Sequence, residues 1–201
     1  ILTKQAEIPY SVIPRDEALP TQCKAIVTIP GVRRCGKSTK MQLVINDLVA
    51  QGVSKTNILW LGFDDERLYD MTKQDLDLVL EAYRELYPEI SLRDVYMFFD
   101  EIQLIKDWEL FVVRVYKTYC QHVYISGSNA KMLSQEIATT LRGYGVEYPT
   151  YPLSFAEYCR FKNIPTKHLL EADLVRLRLA WGNYNTESAL PEVGLEKETS
   201  I

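Results

Sequence analysis

The amino-acid sequence predicts an α/β fold, a three-layer α/β/α arrangement around a mainly parallel five-stranded sheet. Three observations predict it. Short apolar, β-branched segments alternate with stretches of helical periodicity. The first of those segments, Ala25-Ile26-Val27-Thr28-Ile29, runs directly into Gly31-Val32-Arg33-Arg34-Cys35-Gly36-Lys37-Ser38. A later one, Val95-Tyr96-Met97-Phe98-Phe99, ends in the carboxylate pair Asp100-Glu101.

Composition sets the bounds. The chain has 201 residues, 47% of them hydrophobic and 25% charged, which suits one globular domain, or one plus a fragment, with a proper core. A net charge of -4 gives no sign of bulk attraction to nucleic acid. No apolar run approaches a membrane span, and the N-terminus lacks a signal-peptide layout. Cys23, Cys35, Cys120 and Cys159 are widely spaced and read as reduced thiols of a cytoplasmic protein. With His122 and His168 the only histidines, a histidine-based metal site or triad is disfavoured. The chain begins at Ile1, which reads as part of something longer.

In chain order, residues 1–24 are irregular, broken by Pro9, Pro14 and Pro20. The stretch from Gly31 to Ser38 then fits G-x-x-x-x-G-K-[ST] without mismatch. After Thr39, residues Met41, Val44, Ile45, Leu48 and Val49 share one face of a helix ending near Gly52. Strand, glycine loop and helix form the context of a phosphate-binding loop. Inward-facing N–H groups and the helix N-terminus hold an anion. Lys37 reaches the β- and γ-phosphates, and the Ser38 hydroxyl ligates Mg2+.

A second buried strand is expected over Asn57–Phe63, followed by Asp64-Asp65-Glu66-Arg67, then a helix from about Thr72 to Pro88. Thr72-Lys73-Gln74-Asp75 matches the guanine-reading pattern [NT]-K-x-D but precedes the third strand. It reads better as a helix N-cap with its acidic partner. Asp100-Glu101 would lie at the C-terminal end of a central strand, where open α/β sheets bind ligands. There Asp100 can hold Mg2+ through water and Glu101 can polarise an attacking water. Taken alone, such a pair reads as ordinary solvation; its place beyond the loop favours function.

Trp108, Phe111, Val112, Val115, Tyr116 and Tyr119 form a core-facing helix, and residues 122–129 a strand that delivers Ser126, Ser128 and Asn129 to the same sheet edge. Asn129 can orient the water or contact the γ-phosphate; Ser128 or Asn129 can equally cap a helix through Leu133 and Ile137. Val146-Glu147-Tyr148 reads as a fifth strand, Ser154 and Glu157 as a capping box, and Thr166 as the start of a helix with Leu170, Leu174, Leu177 and Trp181 on one face. Periodicity stops after Gly182.

Together these segments resemble the AAA-type P-loop ATPases of archaea and bacteria that carry a DUF4143-type C-terminal region. The resemblance rests on the loop with its paired Arg33 and Arg34, on Phe63-Asp64-Asp65-Glu66-Arg67-Leu68, and on Phe99-Asp100-Glu101-Ile102-Gln103. Ser126-Gly127-Ser128-Asn129-Ala130 and Tyr151-Pro152-Leu153-Ser154-Phe155-Ala156-Glu157-Tyr158 complete it. It implies sheet order 5-1-4-3-2, an ATPase domain over 25–162 and a helical extension over 163–201 opening a C-terminal domain. It implies ATP and Mg2+ as ligands, Asp100 and Glu101 as Walker B, and Asn129 as sensor 1. The family usually has a finger arginine after the glycine of Leu-x-Gly-Arg. Here that position is Tyr144, and Arg142 is the remaining candidate. Ala189–Val193 resembles only the opening of the family's C-terminal segment. A homo-oligomer, a protein partner or a DNA partner are each compatible with this reading. The rival reading is a nucleotide-dependent switch or scaffold with negligible turnover. A small-molecule kinase is disfavoured by the water-activating Glu101.

Overall fold

In the computed structural model, the residues described are 8–128, 143–167 and 171–186. Five strands form one parallel sheet: β1 (Ile26–Pro30), β2 (Ile58–Gly62), β3 (Tyr96–Asp100), β4 (His122–Gly127) and β5 (Gly145–Glu147). The order is β2-β3-β4-β1-β5, which is the expected order read from the other edge. Among the described residues the α-helices are α1 (Lys37–Ala50), α2 (Leu76–Leu86), α3 (Trp108–Thr118), α4 (Phe155–Phe161) and α5 (Glu171–Thr186).

A parallel sheet covered on both faces needs strands that are mainly apolar and buried, as β1 to β4 are, while the short edge strand β5 is largely exposed. Within β3, Met97 and Phe99 face α2 and α3 with Leu59, Leu61, Val123 and Ile125, while Phe98 faces the other way with Val27, Ile29, Trp60 and Tyr124. Each fully buried side chain of this size contributes about 1.5–3 kcal/mol. Cross-strand register adds an aromatic row: Trp60 stacks on Phe98 at 6.1 Å, and Phe98 on Tyr124 at 4.6 Å. Register also sets the site. Pairing of Pro30 with Gly127 and Gly62 with Asp100 brings the C-terminal ends of β1, β4, β3 and β2 to one edge.

Among the described residues before β1, 8–25, there is no helix or strand, but the segment is packed. Ile8, Tyr10 and Leu19 are buried against α1. Tyr10 exchanges two hydrogen bonds with the Asn46 side chain, at 2.7 and 2.8 Å.

Two local expectations are corrected. Thr72 does not cap α2, which begins at Leu76. The Asp75 carboxylate instead accepts from the Thr72 amide at 2.8 Å and hydroxyl at 2.6 Å, closing the preceding turn. That carboxylate is therefore engaged locally, away from any base-reading role. In α5 the packed face carries Ala180, Tyr184 and Trp181, whose ring is 52% exposed yet meets Phe155 edge-on at 4.8 Å, whereas Leu174 is 44% exposed and belongs to no core cluster. The rings of Phe155 and Tyr158 on α4 choose that face through edge-on contacts with Tyr184 at 5.5 Å. The helix also continues through Gly182 to Thr186.

Candidate functional site

The loop leaving β1 is shaped by close approach and by left-handed backbone. A Cβ on Gly31 would lie 2.5 Å from the Thr150 carbonyl oxygen and 2.7 Å from Cys35 Sγ, so only glycine fits there. Arg34 (φ 67) and Gly36 (φ 95) turn the chain through the left-handed region. Gly36 then starts the fourteen residues of α1, with no side-chain cap and no acidic residue in the first turn. The first donors and partial positive charge of this helix are left facing the cleft, the arrangement that binds anions. Helix α4 shows the opposite case, with Ser154 and Glu157 closing a full capping box.

β3 brings the two carboxylates to this loop. Asp100 is 4% exposed and accepts from the Ser126 hydroxyl on neighbouring β4, with the Ser38 hydroxyl at the start of α1 nearby. Burial pushes its pKa up, against the two hydroxyls. Glu101 adopts φ 54, and this left-handed turn swings its side chain toward the loop. Its amide donates to Ser126 Oγ at 3.1 Å. Its Oε2 accepts from Gln103 Nε2 at 2.6 Å, from the Ser128 amide at 3.1 Å and from the Ser128 hydroxyl. Its Oε1 lies 3.1 Å from Lys37 Nζ, which also donates to the Val32 carbonyl at 3.1 Å. Burial raises the Glu101 pKa, but the Ser128 and Gln103 bonds and the Lys37 charge together bring it below the ordinary carboxylate value. Glu101 is therefore ionised at neutral pH.

Of these groups Lys37, Ser38, Glu101, Gln103 and Ser128 line a cleft of about 560 Å³, together with Arg33, Arg34, Gly36, Thr39, Asp64 and Leu104. Of the residues singled out from the sequence, Val32 sits exposed on the loop and Cys35 is buried beneath it. Asn129 and Arg142 lie outside the described residues. Ser126, Ser128 and Gln103 hold the two carboxylates. The sequence signal for Ser126 and Ser128 was their place at a strand end beside the acidic pair; Gln103 had only its position two residues past Glu101. Arg15, which donates to the Cys35 carbonyl at 2.9 Å, had no local signal.

The donor set suits a hard cation. The Ser38 hydroxyl lies near the Asp100 carboxylate, and Mg2+ takes oxygen ligands while retaining waters or substrate oxygens. Among the described residues no cluster of three His, Cys, Asp or Glu side chains forms an all-protein metal cage. Tyr144 lies elsewhere. Its carbonyl accepts from the Ile26 amide at the start of β1, and its ring packs on Tyr116 under Lys117. The length of β1 separates it from the loop, about 13 Å at ~3.3 Å per residue. A second cavity of about 500 Å³ beside α2 is walled chiefly by Leu59, Met71, Leu78, Val79 and Leu86, without convergent polar groups.

Several known proteins are similar to this chain. Uncharacterized proteins of Haemophilus influenzae and Methanocaldococcus jannaschii are each 34% identical, over 86% and 78% of this chain. The chain spans 41% and 33% of their respective lengths. The structure of AMPPCP-bound DnaA from Aquifex aeolicus aligns with 89% of this chain and 60% of its own, at 14% identity and a TM-score of 0.45, too low to bear on function. Among the described residues no helix is long and apolar enough to cross a membrane. The sequence model of a family described as AAA domain matches residues 24–159, and the chain belongs to that AAA domain family.

Proposed function

We propose that this domain binds ATP with Mg2+ and hydrolyses it. The observation that supports this best is the convergence, in one cleft, of an uncapped helix start, Lys37, Ser38 near Asp100, and an ionised Glu101. Phosphoryl transfer to water is chiefly positioning and charge stabilisation, and each group has a task in it. Backbone amides of residues 32–38 cradle the phosphates. Lys37 leaves Glu101 and the Val32 carbonyl for the β- and γ-phosphates, which frees Glu101 Oε1 to accept a proton from water. Ser38 and Asp100 would hold Mg2+, which would supply positive charge to the phosphate oxygens. Asn129 orients the water and Arg142 is the candidate for charge at the γ-phosphate.

In this reading residues 25–162 are the ATPase domain, led in by residues 1–24. Residues 163–201 open a further region, in keeping with the greater length of the relatives. Four unbridged cysteines suit the cytoplasm. Homo-oligomerisation and a protein or DNA partner are compatible with it.

Purified protein with ATP and Mg2+ should release phosphate. Lys37→Ala should abolish nucleotide binding; unchanged affinity in that variant would remove the proposal. The second reading, an ATP-dependent switch that docks a partner with negligible turnover, draws on Glu101, both of whose oxygens are engaged, and on Tyr144 at the far end of β1. Tight ATP binding with no phosphate release would favour it.

A further inference from the structure

The segment ahead of β1 contains a buried arginine that the nucleotide cleft does not include. The Arg15 side chain is 4% exposed, and a buried guanidinium must place its donors. Nε donates to Glu157 Oε1 at 2.6 Å, Nη1 to the Cys35 carbonyl at 2.9 Å and Nη2 to the Tyr151 carbonyl at 2.9 Å. One planar group thus joins the phosphate loop, the chain entering α4, and α4 itself. Glu157 is equally committed. Its Oε1 also accepts from the Asp16 amide at 3.0 Å, and its Oε2 from the Ser154 amide at 2.8 Å. Arg160 reinforces the junction through Asp16 at 2.6 Å and the Pro14 carbonyl at 2.9 Å.

The bond to Cys35 acts on the site because a peptide unit is planar and trans, so its C=O and N–H point in opposite directions. With the Cys35 carbonyl held on the Arg15 side, the Gly36 N–H of the same peptide is aimed away from Arg15, toward the cleft that Gly36 lines. Gly36 itself, at φ 95 and without a side chain, offers little resistance to reorientation of that peptide. An outside contact has to hold it.

We propose that Arg15 is a positioning residue for nucleotide binding. Through the Cys35 carbonyl it aims the Gly36 N–H at the bound phosphate, and through Glu157 it couples that aim to the docking of Tyr151–Phe161. The inference rests on the ATP-binding reading above. Coupling of this kind is reciprocal, so nucleotide tightens residues 151–161 on the loop as much as they tighten nucleotide.

The test uses the full chain with Arg15→Gln, Arg15→Lys and Glu157→Gln. Arg15→Gln should bind both ATP and ADP about tenfold to a hundredfold more weakly, the size of a lost charge-assisted bond. Its KM for ATP should rise with kcat near the parent's, because the aimed N–H serves ground and transition states alike. Lysine keeps the charge but lacks the fixed fork, so Arg15→Lys should recover at most part of the affinity. Glu157→Gln should show the same effect, smaller. In hydrogen exchange, ATP should protect residues 155–161 in the parent and fail to do so in Arg15→Gln. A folded Arg15→Gln with parental affinity overturns the proposal, as does a fall in kcat at unchanged KM, or exchange at 155–161 indifferent to ATP in the parent. Should Arg15→Gln not fold, Glu157→Gln carries the same readouts. A parent that binds no ATP contradicts the underlying reading. A parent that binds through Lys37, beside an Arg15→Gln that binds equally well, contradicts the positioning role alone.

Discussion

Two buried ion pairs flank the glycine loop after β1, and they are built differently. Lys37–Glu101 joins a flexible ammonium to a carboxylate 17% exposed at the cleft. Arg15–Glu157 joins a planar guanidinium to a carboxylate 6% exposed. In the first pair each partner has other company: Lys37 also reaches Val32, and Glu101 also accepts from Ser128 and Gln103. In the second, three nitrogens of one rigid fork meet three fixed acceptors on separate segments. Removing Arg15 leaves a desolvated Glu157 carboxylate without its cation and the Cys35 carbonyl without its donor, and removing Glu157 leaves a desolvated guanidinium. The contrast separates a group able to change partners during a reaction from one that holds the frame still.

Stability measurements can break that contrast. Arg15→Met should cost the most, about 3–5 kcal/mol in denaturant unfolding, the range for breaking a buried pair. Ser126→Ala comes next. Its hydroxyl donates to Asp100 and accepts from the Glu101 amide, and losing both bonds should cost about 2 kcal/mol. Lys37→Met should cost only about 1 kcal/mol in the absence of nucleotide, because Glu101 keeps its other donors and some solvent. A Lys37→Met penalty as large as that of Arg15→Met would erase the distinction.

A pH titration sharpens it with a smaller effect. Burial raises the Glu157 pKa, but the bonds from Arg15, Asp16 and Ser154 bring it below its ordinary 4.5. A carboxylate lowered on folding contributes stability that is fully present above the unfolded value and is lost as pH falls through the folded one. Parent stability should therefore hold down to about pH 5 and decline below it, and in Glu157→Gln that acid limb should be flatter. An identical limb in both proteins would show that the pair adds no linkage.

Much of this fold is legible in the sequence, for physical reasons that differ by region. β2, β3 and β4 read as continuous apolar runs because a parallel sheet is buried on both faces. The loop reads as a motif because Gly31 and Gly36 answer to close approach and positive φ within eight residues. Asp100 and Glu101 read as a site because they end a central strand. Interactions between distant segments leave no such trace. Arg15 and Glu157 are 142 residues apart and belong to no shared period. The inward face of α5 is chosen by the rings of α4, which its own pattern does not contain. Thr72 and Asp75 have the spacing of a cap and form a turn one step earlier. The position of Tyr144 follows from the pairing of Ile26 with Gly145, which places it at the sheet edge opposite the cleft.

The central claim is that the cleft hydrolyses ATP with Glu101 as the base. Glu101→Gln keeps the shape and removes the proton acceptor, so phosphate release and ATP binding should be measured together in parent and variant. The account predicts parental or tighter ATP binding in Glu101→Gln, with turnover reduced about a hundredfold or more. Phosphate release at the parent's rate in that variant would contradict it.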